Sequence, residues 1–162
     1  MTQVHIVLGS ASDLESIKDS KISATLTQMG ISNQVSVCSA HRNIEALGEF
    51  TLEAIKDGAK VFIGVAGMAA ALPGALAGLT NMTIPVIGVP LDQYGIDSCI
   101  YMPPGVPVLT AGVGKTGLKQ AAIAAAQILA VGDAEVFASL ATYLEKTKKS
   151  PKFNVNLEEE TK

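Results

Sequence analysis

Tryptophan is absent from this 162-residue chain and aromatic residues make up only 4% of it. Any core must therefore be built from Ala, Val, Ile and Leu, whose small size lets helices and strands approach closely. Charge is also scarce, at 17% of residues with a net value of −3, and no basic cluster precedes Lys146, Lys148 and Lys149. That disfavours nucleic acid or an anionic membrane surface as a partner. No stretch reaches the roughly 18 consecutive apolar residues of a membrane-crossing helix. The two cysteines, Cys38 and Cys99, are too far apart in sequence for a metal-type pair. Met1–Leu8 has no secretory pattern, so the expected compartment is the reducing cytoplasm.

What is abundant is apolar surface, 48% of residues. In a chain sized for one core this excess favours an oligomer that hides part of its surface. The expected organisation is a single domain over 1–150 followed by a polar tail over 151–162.

Val4–Leu8 is a β-branched run halted by Gly9, the pattern of a strand buried on both faces. Asp13 is placed to cap a helix whose stripe is Leu14, Ile17, Ile22, Leu26 and Met29, ending at Gly30. A second strand over Gln34–Cys38 leads into the loop Ser39-Ala40-His41-Arg42. Asn43 then caps a helix striped by Ile44, Leu47, Thr51, Ala54 and Ile55, which Gly58 ends. Further strands are expected at Val61–Val65, Pro85–Val89 and Val106–Thr110. Between the first two of these lies the small-residue segment Gly67–Gly78, where Pro73 fits a helix only in its first turn. Asp92–Pro107 reads as irregular and Gly112–Gly117 as a loop. Helices follow over Leu118–Val131 and Ala134–Lys146. This alternation predicts a three-layer αβα, doubly wound, flavodoxin-like parallel sheet with a C-terminal helix.

In such a fold ligands bind beyond the carboxyl ends of the strands, and three loops fall there. Gly9-Ser10-Ala11-Ser12-Asp13 joins a glycine, two hydroxyls and a helix start, which suits a phosphate, while Asp13 suits ribose hydroxyls. The same residues can equally serve as a plain helix cap. In the second loop His41 offers proton exchange near neutral pH. Arg42 beside it offers a forked cation for phosphate or carboxylate. The third, Gly67-Met68-Ala69-Ala70-Ala71-Leu72-Pro73-Gly74, has almost no side-chain chemistry. It either packs tightly against a neighbour or holds a carboxylate or CO2 on backbone amides. His5, inside the first strand, reads as a packed structural residue. Gly114-Lys115-Thr116 matches the end of a P-loop, but Leu109 stands where the opening glycine belongs, so this segment reads as a plain loop and helix start.

Taken in order, seven segments resemble the PurE family of aminoimidazole ribonucleotide carboxylases and mutases. They are Gly9–Asp13, Ser39–Arg42, Ala66–Gly74, Val86–Pro90, Gly95–Ser98, Met102–Pro107 and Gly112–Lys115. The resemblance implies a homo-octamer with sites at subunit contacts and no metal or organic cofactor. It implies that Ser10, Ser12 and Arg42 grip a 5′-phosphate and Asp13 the ribose, and that His41 is the general acid–base. Gly9 belongs to the same binding loop, and Ser39 with Ala69, Ala70, Ala71 and Leu72 would surround the carboxyl group. Arginine at position 42, where the direct-carboxylase branch has lysine, points to the mutase, which moves a carboxyl group from N5 to C4 of the aminoimidazole ring. The alternatives are a carboxylase that uses CO2 with this or another nucleotide, and a non-catalytic nucleotide-binding relative. Three departures stand out. Ala71 occupies the position of the family's histidine, the stretch between Pro90 and Met102 is shorter than the family pattern, and Pro104 stands where many members have arginine.

Overall fold

A computed structural model describes residues 1–148; the expected tail over 151–162 lies outside the described residues. Five parallel strands form one sheet in the order β2-β1-β3-β4-β5. They are β1 (Val4–Leu8), β2 (Asn33–Val37), β3 (Val61–Ala66), β4 (Val86–Pro90) and β5 (Leu109–Thr110). The helices are α1 (Leu14–Ser20), α2 (Ile22–Gln28), α3 (Ile44–Lys56), α4 (Ala71–Leu79), α5 (Ile96–Ile100), α6 (Gly114–Ala130) and α7 (Ala134–Glu145). The strand order is that of a flavodoxin-like doubly wound sheet, whose direction of winding reverses between β1 and β3.

The two-residue alternation of strands sorts the core into two layers. Val4, Ile6, Leu8, Val61, Ile63, Val65, Ile87 and Val89 point to one face, where α1, α2, α6 and α7 pack. Val7, Phe62, Ala66 and Val86 point to the other, toward α3, α4 and α5. On the first face no buried aromatic is needed, because α6 presents Ala121, Ala122, Ala125 and Ala126, all fully buried.

On the second face α4 lies unusually close to the sheet. Gly64 and Gly88 are register partners on β3 and β4. A Cβ on Gly64 would stand 3.1 Å from the Cα of Pro73, and one on Gly88 would stand 3.1 Å from its Cβ. Pro73 is the third residue of α4, within the first turn that tolerates it.

The structure corrects the sequence reading in several places. The expected first helix is two, broken at Lys21 in the left-handed region (φ 58°). Ser20 restarts the chain there, because its buried hydroxyl donates to the Ile17 carbonyl and accepts from the Ile22 amide. Neither Asp13 nor Asn43 caps its helix through a side-chain hydrogen bond. The segment Asp92–Pro107 is not wholly irregular, since Asp92 caps a 3-10 turn that runs into α5. β5 shrinks to two residues, and α6 begins at Gly114 inside the expected loop.

His5 is buried as expected, packed against the rings of Phe50 and Phe62 at centroid distances of 5.7 and 5.5 Å. Among the described residues neither ring nitrogen has a hydrogen-bond partner of good geometry. Burial pushes its pKa below the ordinary 6.5, and the Thr2 backbone and the Asp57 charge offset only part of that.

Two stability predictions follow from this packing. Gly88→Ala is expected to cost about 1–3 kcal/mol by overpacking. Gly132→Ala, where nothing lies within 4 Å, should stay within about 0.5 kcal/mol of the parent; urea denaturation measures both. For His5 the unfolded chain takes up a proton more readily than the folded one. The stabilisation is thus complete above about pH 6.5 and is lost as pH falls through the lower folded value. Denaturation midpoints from about pH 8 to pH 5 should show this decline, with a shallower slope in His5→Leu.

Candidate active site

The loops that leave β1, β2 and β3 meet in a single cleft of about 410 Å³ at the carboxyl edge of the sheet. It lies beside the point where the winding reverses, the place a ligand occupies in this architecture. Gly9, Ser10, Ser12 and Asp13 form one wall, Ser39 to Arg42 a second, and Ala66 to Met68 with Ala70 to Leu72 the third.

The first wall is rigid before any ligand arrives. Ser10 Oγ accepts from the Ser12 amide at 3.3 Å, while the Asp13 carboxylate accepts from the Ser10 amide at 3.0 Å. These reciprocal bonds form a capping box around a 3-10 turn over Ala11–Asp13. Ser12 Oγ donates to Ser10 Oγ at 2.8 Å, which turns both hydroxyls into one polar cluster. Gly9 is needed because the chain passes close to β3, where a Cβ would stand 3.3 Å from that of Ala66.

The second wall carries the mobile chemistry. His41 and Arg42 are exposed in a turn between β2 and α3. The turn is fixed at its base, where the Asn43 amide donates to the Ser39 carbonyl and the Cys38 amide to the Leu8 carbonyl. Among the described residues Arg42 makes no ion pair, so its guanidinium is available for an anion. Cys38 beside this loop is partly buried, which raises its thiol pKa.

The third wall offers backbone rather than side chains. α4 starts here without a side-chain cap, so the amides of its first turn lack a helical partner where Ala70, Ala71 and Leu72 line the cleft. One amide of this loop is paired within the protein. The Met68 N–H donates to Asp92 Oδ2 at 2.9 Å, and Asp92 Oδ1 accepts from the Tyr94 and Gly95 amides. Asp92 thus ties the third loop to the segment after β4 and does not reach out as a free group. Met68 is held in the left-handed region, at φ 52°.

Of the residues expected from sequence, Gly9, Ser10, Ser12, Asp13, Ser39, His41, Arg42, Ala70, Ala71 and Leu72 all line the cleft. Ala69 does not. It occupies the turn that lifts away from the cleft before α4 and is exposed. Ala40, Gly67 and Met68, which the sequence reading placed in the second and third loops without giving them individual roles, also line the cleft, as does Ala66 at the end of β3. Sequence reasoning missed the tether through Asp92, whose long-range bond leaves no local pattern.

This arrangement defines a class: a doubly wound α/β protein whose switch-point cleft is lined by serine hydroxyls, a carboxylate, a histidine and an arginine. A family model described as AIR carboxylase matches residues 3–150, and the chain belongs to that family. It is 42% identical over 151 residues to the N5-carboxyaminoimidazole ribonucleotide mutase of Methanocaldococcus jannaschii, covering 90% of each protein. It is 38% identical over 153 residues to the mutase of Bacillus subtilis, covering 91% of this chain and 92% of the relative. Among solved structures, PurE of Treponema denticola superposes with a TM-score of 0.77 at 29% identity, over 91% of this chain and 92% of that one.

The tether makes a direct prediction. Asp92→Ala removes the acceptor of three amides and is expected to cost about 1–2 kcal/mol, in the range of a lost cap. Hydrogen exchange at the Met68 amide should accelerate. Asp92→Asn should restore part of the stability, since its one carbonyl oxygen can still cap the turn.

Proposed function

We propose that this chain is an N5-carboxyaminoimidazole ribonucleotide mutase of purine biosynthesis, with His41 as its acid–base residue. The observation that carries the reading is the convergence of the serine-rich turn, the His41-Arg42 turn and the amide-rich start of α4 on one cleft. Ser10, Ser12 and Arg42 bind the 5′-phosphate, and Asp13 binds the ribose. Ser39, Ala70, Ala71 and Leu72 surround the migrating carboxyl group.

The chemistry asks for one proton shuttle and a dry pocket. His41 gives a proton to the carbamate nitrogen, the C–N bond breaks with its electron pair going to nitrogen, and CO2 is released. The enamine-like C4 attacks the CO2 carbon to form the new C–C bond, and His41 then removes the proton left on C4. Holding CO2 beside C4 between the two steps replaces a bimolecular encounter by an intramolecular one. The leading amides of α4 stabilise the carboxylate as it forms.

The functional unit we infer is a homo-oligomer, an octamer as the family resemblance implies, working in the cytoplasm. Supporting assembly are large apolar side chains left exposed, among them Val131 (91%) and Phe137 (63%), together with a cleft whose His41 and Arg42 stand open to solvent. Among the described residues no helix is long and apolar enough to cross a membrane.

The test is a paired assay with N5-carboxylated and unmodified aminoimidazole ribonucleotide, each with and without bicarbonate. The expected result is bicarbonate-independent conversion of the N5-carboxylated compound to the C4-carboxylate. His41→Asn should lower kcat by about 10²- to 10⁴-fold, and Arg42→Ala should act mainly on KM. A fully active His41→Asn protein would remove the acid–base assignment. Turnover of only the unmodified nucleotide, and only with bicarbonate, would identify a carboxylase instead.

A further inference from the structure

Met68 is the one long, exposed apolar side chain among the residues that line the cleft. The other apolar liners are the methyls of Ala40, Ala66, Ala70 and Ala71, and Leu72, which is only 2% exposed and fixed in the core. None of these can reach across the opening. Met68 is 68% exposed and has three flexible torsions and a polarisable thioether.

Its backbone makes the choice of residue costly. At φ 52° the residue sits where a side chain is unfavourable and glycine is the low-cost occupant. The strain is imposed from outside the loop. Asp92 Oδ2 accepts the Met68 amide at 2.9 Å and also stands 2.8 Å from where a Cβ on Gly67 would lie. The backbone is therefore pinned while the side chain remains free to swing, and residues held in unfavourable conformations collect at functional sites.

We propose that the Met68 side chain is the cover that retains CO2 over the nucleotide, a role that rests on the mutase reading above. Carbon dioxide carries no charge and hydrogen-bonds weakly, so amides that hold a carboxylate do not hold it. Its retention depends on an apolar lid that excludes water and blocks escape. With Ala71 beside it supplying only a methyl group, this wall offers no polar side chain to do the work.

The experiment follows the carboxyl carbon. The N5-carboxylated substrate is labelled at that carbon and turned over in an excess of unlabelled bicarbonate. Two quantities are read: label retained in the C4 product, and unmodified aminoimidazole ribonucleotide released per turnover. Met68→Gly is expected to raise release about tenfold, the scale of a lost apolar contact in a pocket, and to lower label retention. Met68→Leu, shorter but still apolar, should leak less than Met68→Gly. The melting temperature of Met68→Gly should be no lower than that of the parent, since glycine relieves the backbone. Unchanged leakage in Met68→Gly, in a parent that forms the C4 product, overturns the cover and leaves the mutase intact. A parent that forms no C4 product overturns both readings. A lower melting temperature in Met68→Gly overturns the strain argument.

Discussion

Pro73 and Leu76 of α4 rest against β3 and β4 at two places where the sheet has no side chain, Gly64 and Gly88. The close approach leaves no room for an added methyl unless its neighbours shift, at the cost of overpacking. It fixes the height of α4 over the sheet, and with it the height of the uncapped helix start above the strand ends. Were α4 pushed outward, its start would withdraw from Ala66 and Gly9, which line the same cleft. Most of the buried residues on this face are correspondingly small or aliphatic, with Phe62 of β3 the exception.

The strands and their layers were legible in the sequence because buried parallel strands are continuous apolar runs with sharp glycine or proline boundaries. Four of the expected strands have limits within one residue of those observed at both ends: β1, β2, β3 and β4. The break at Lys21 was hidden because the apolar stripe carries across it. Only the paired bonds of the buried Ser20 reveal the restart. α5 was hidden for a different reason: its five residues are too few for a helical period, and its entry is set by Asp92.

The site was legible to a similar depth. Loops at strand ends can be read once strand order is guessed, and glycine, serine, histidine and arginine announce phosphate and proton chemistry by type. What could not be read is how much of that chemistry the protein uses on itself. Asp13 looks like a ligand group, and part of its carboxylate holds the Ser10 amide. The Met68 amide looks free, and Asp92 occupies it. A local sequence names donors and acceptors but does not say which are already paired.

Those self-contacts decide the character of the third wall. With the Met68 amide satisfied and Ala71 contributing a methyl, the polar capacity left there is the start of α4 alone. That division separates two demands that one polar side chain would have to meet together. Helix amides favour the carboxylate at either end of the transfer, whereas the neutral molecule between them gains nothing from a charge or a strong donor. In the proposed reading the amides serve the carboxylates and the apolar side chain beside them serves the intermediate. Asp92 pairs one donor of this loop within the protein, at the residue whose backbone stands at φ 52°.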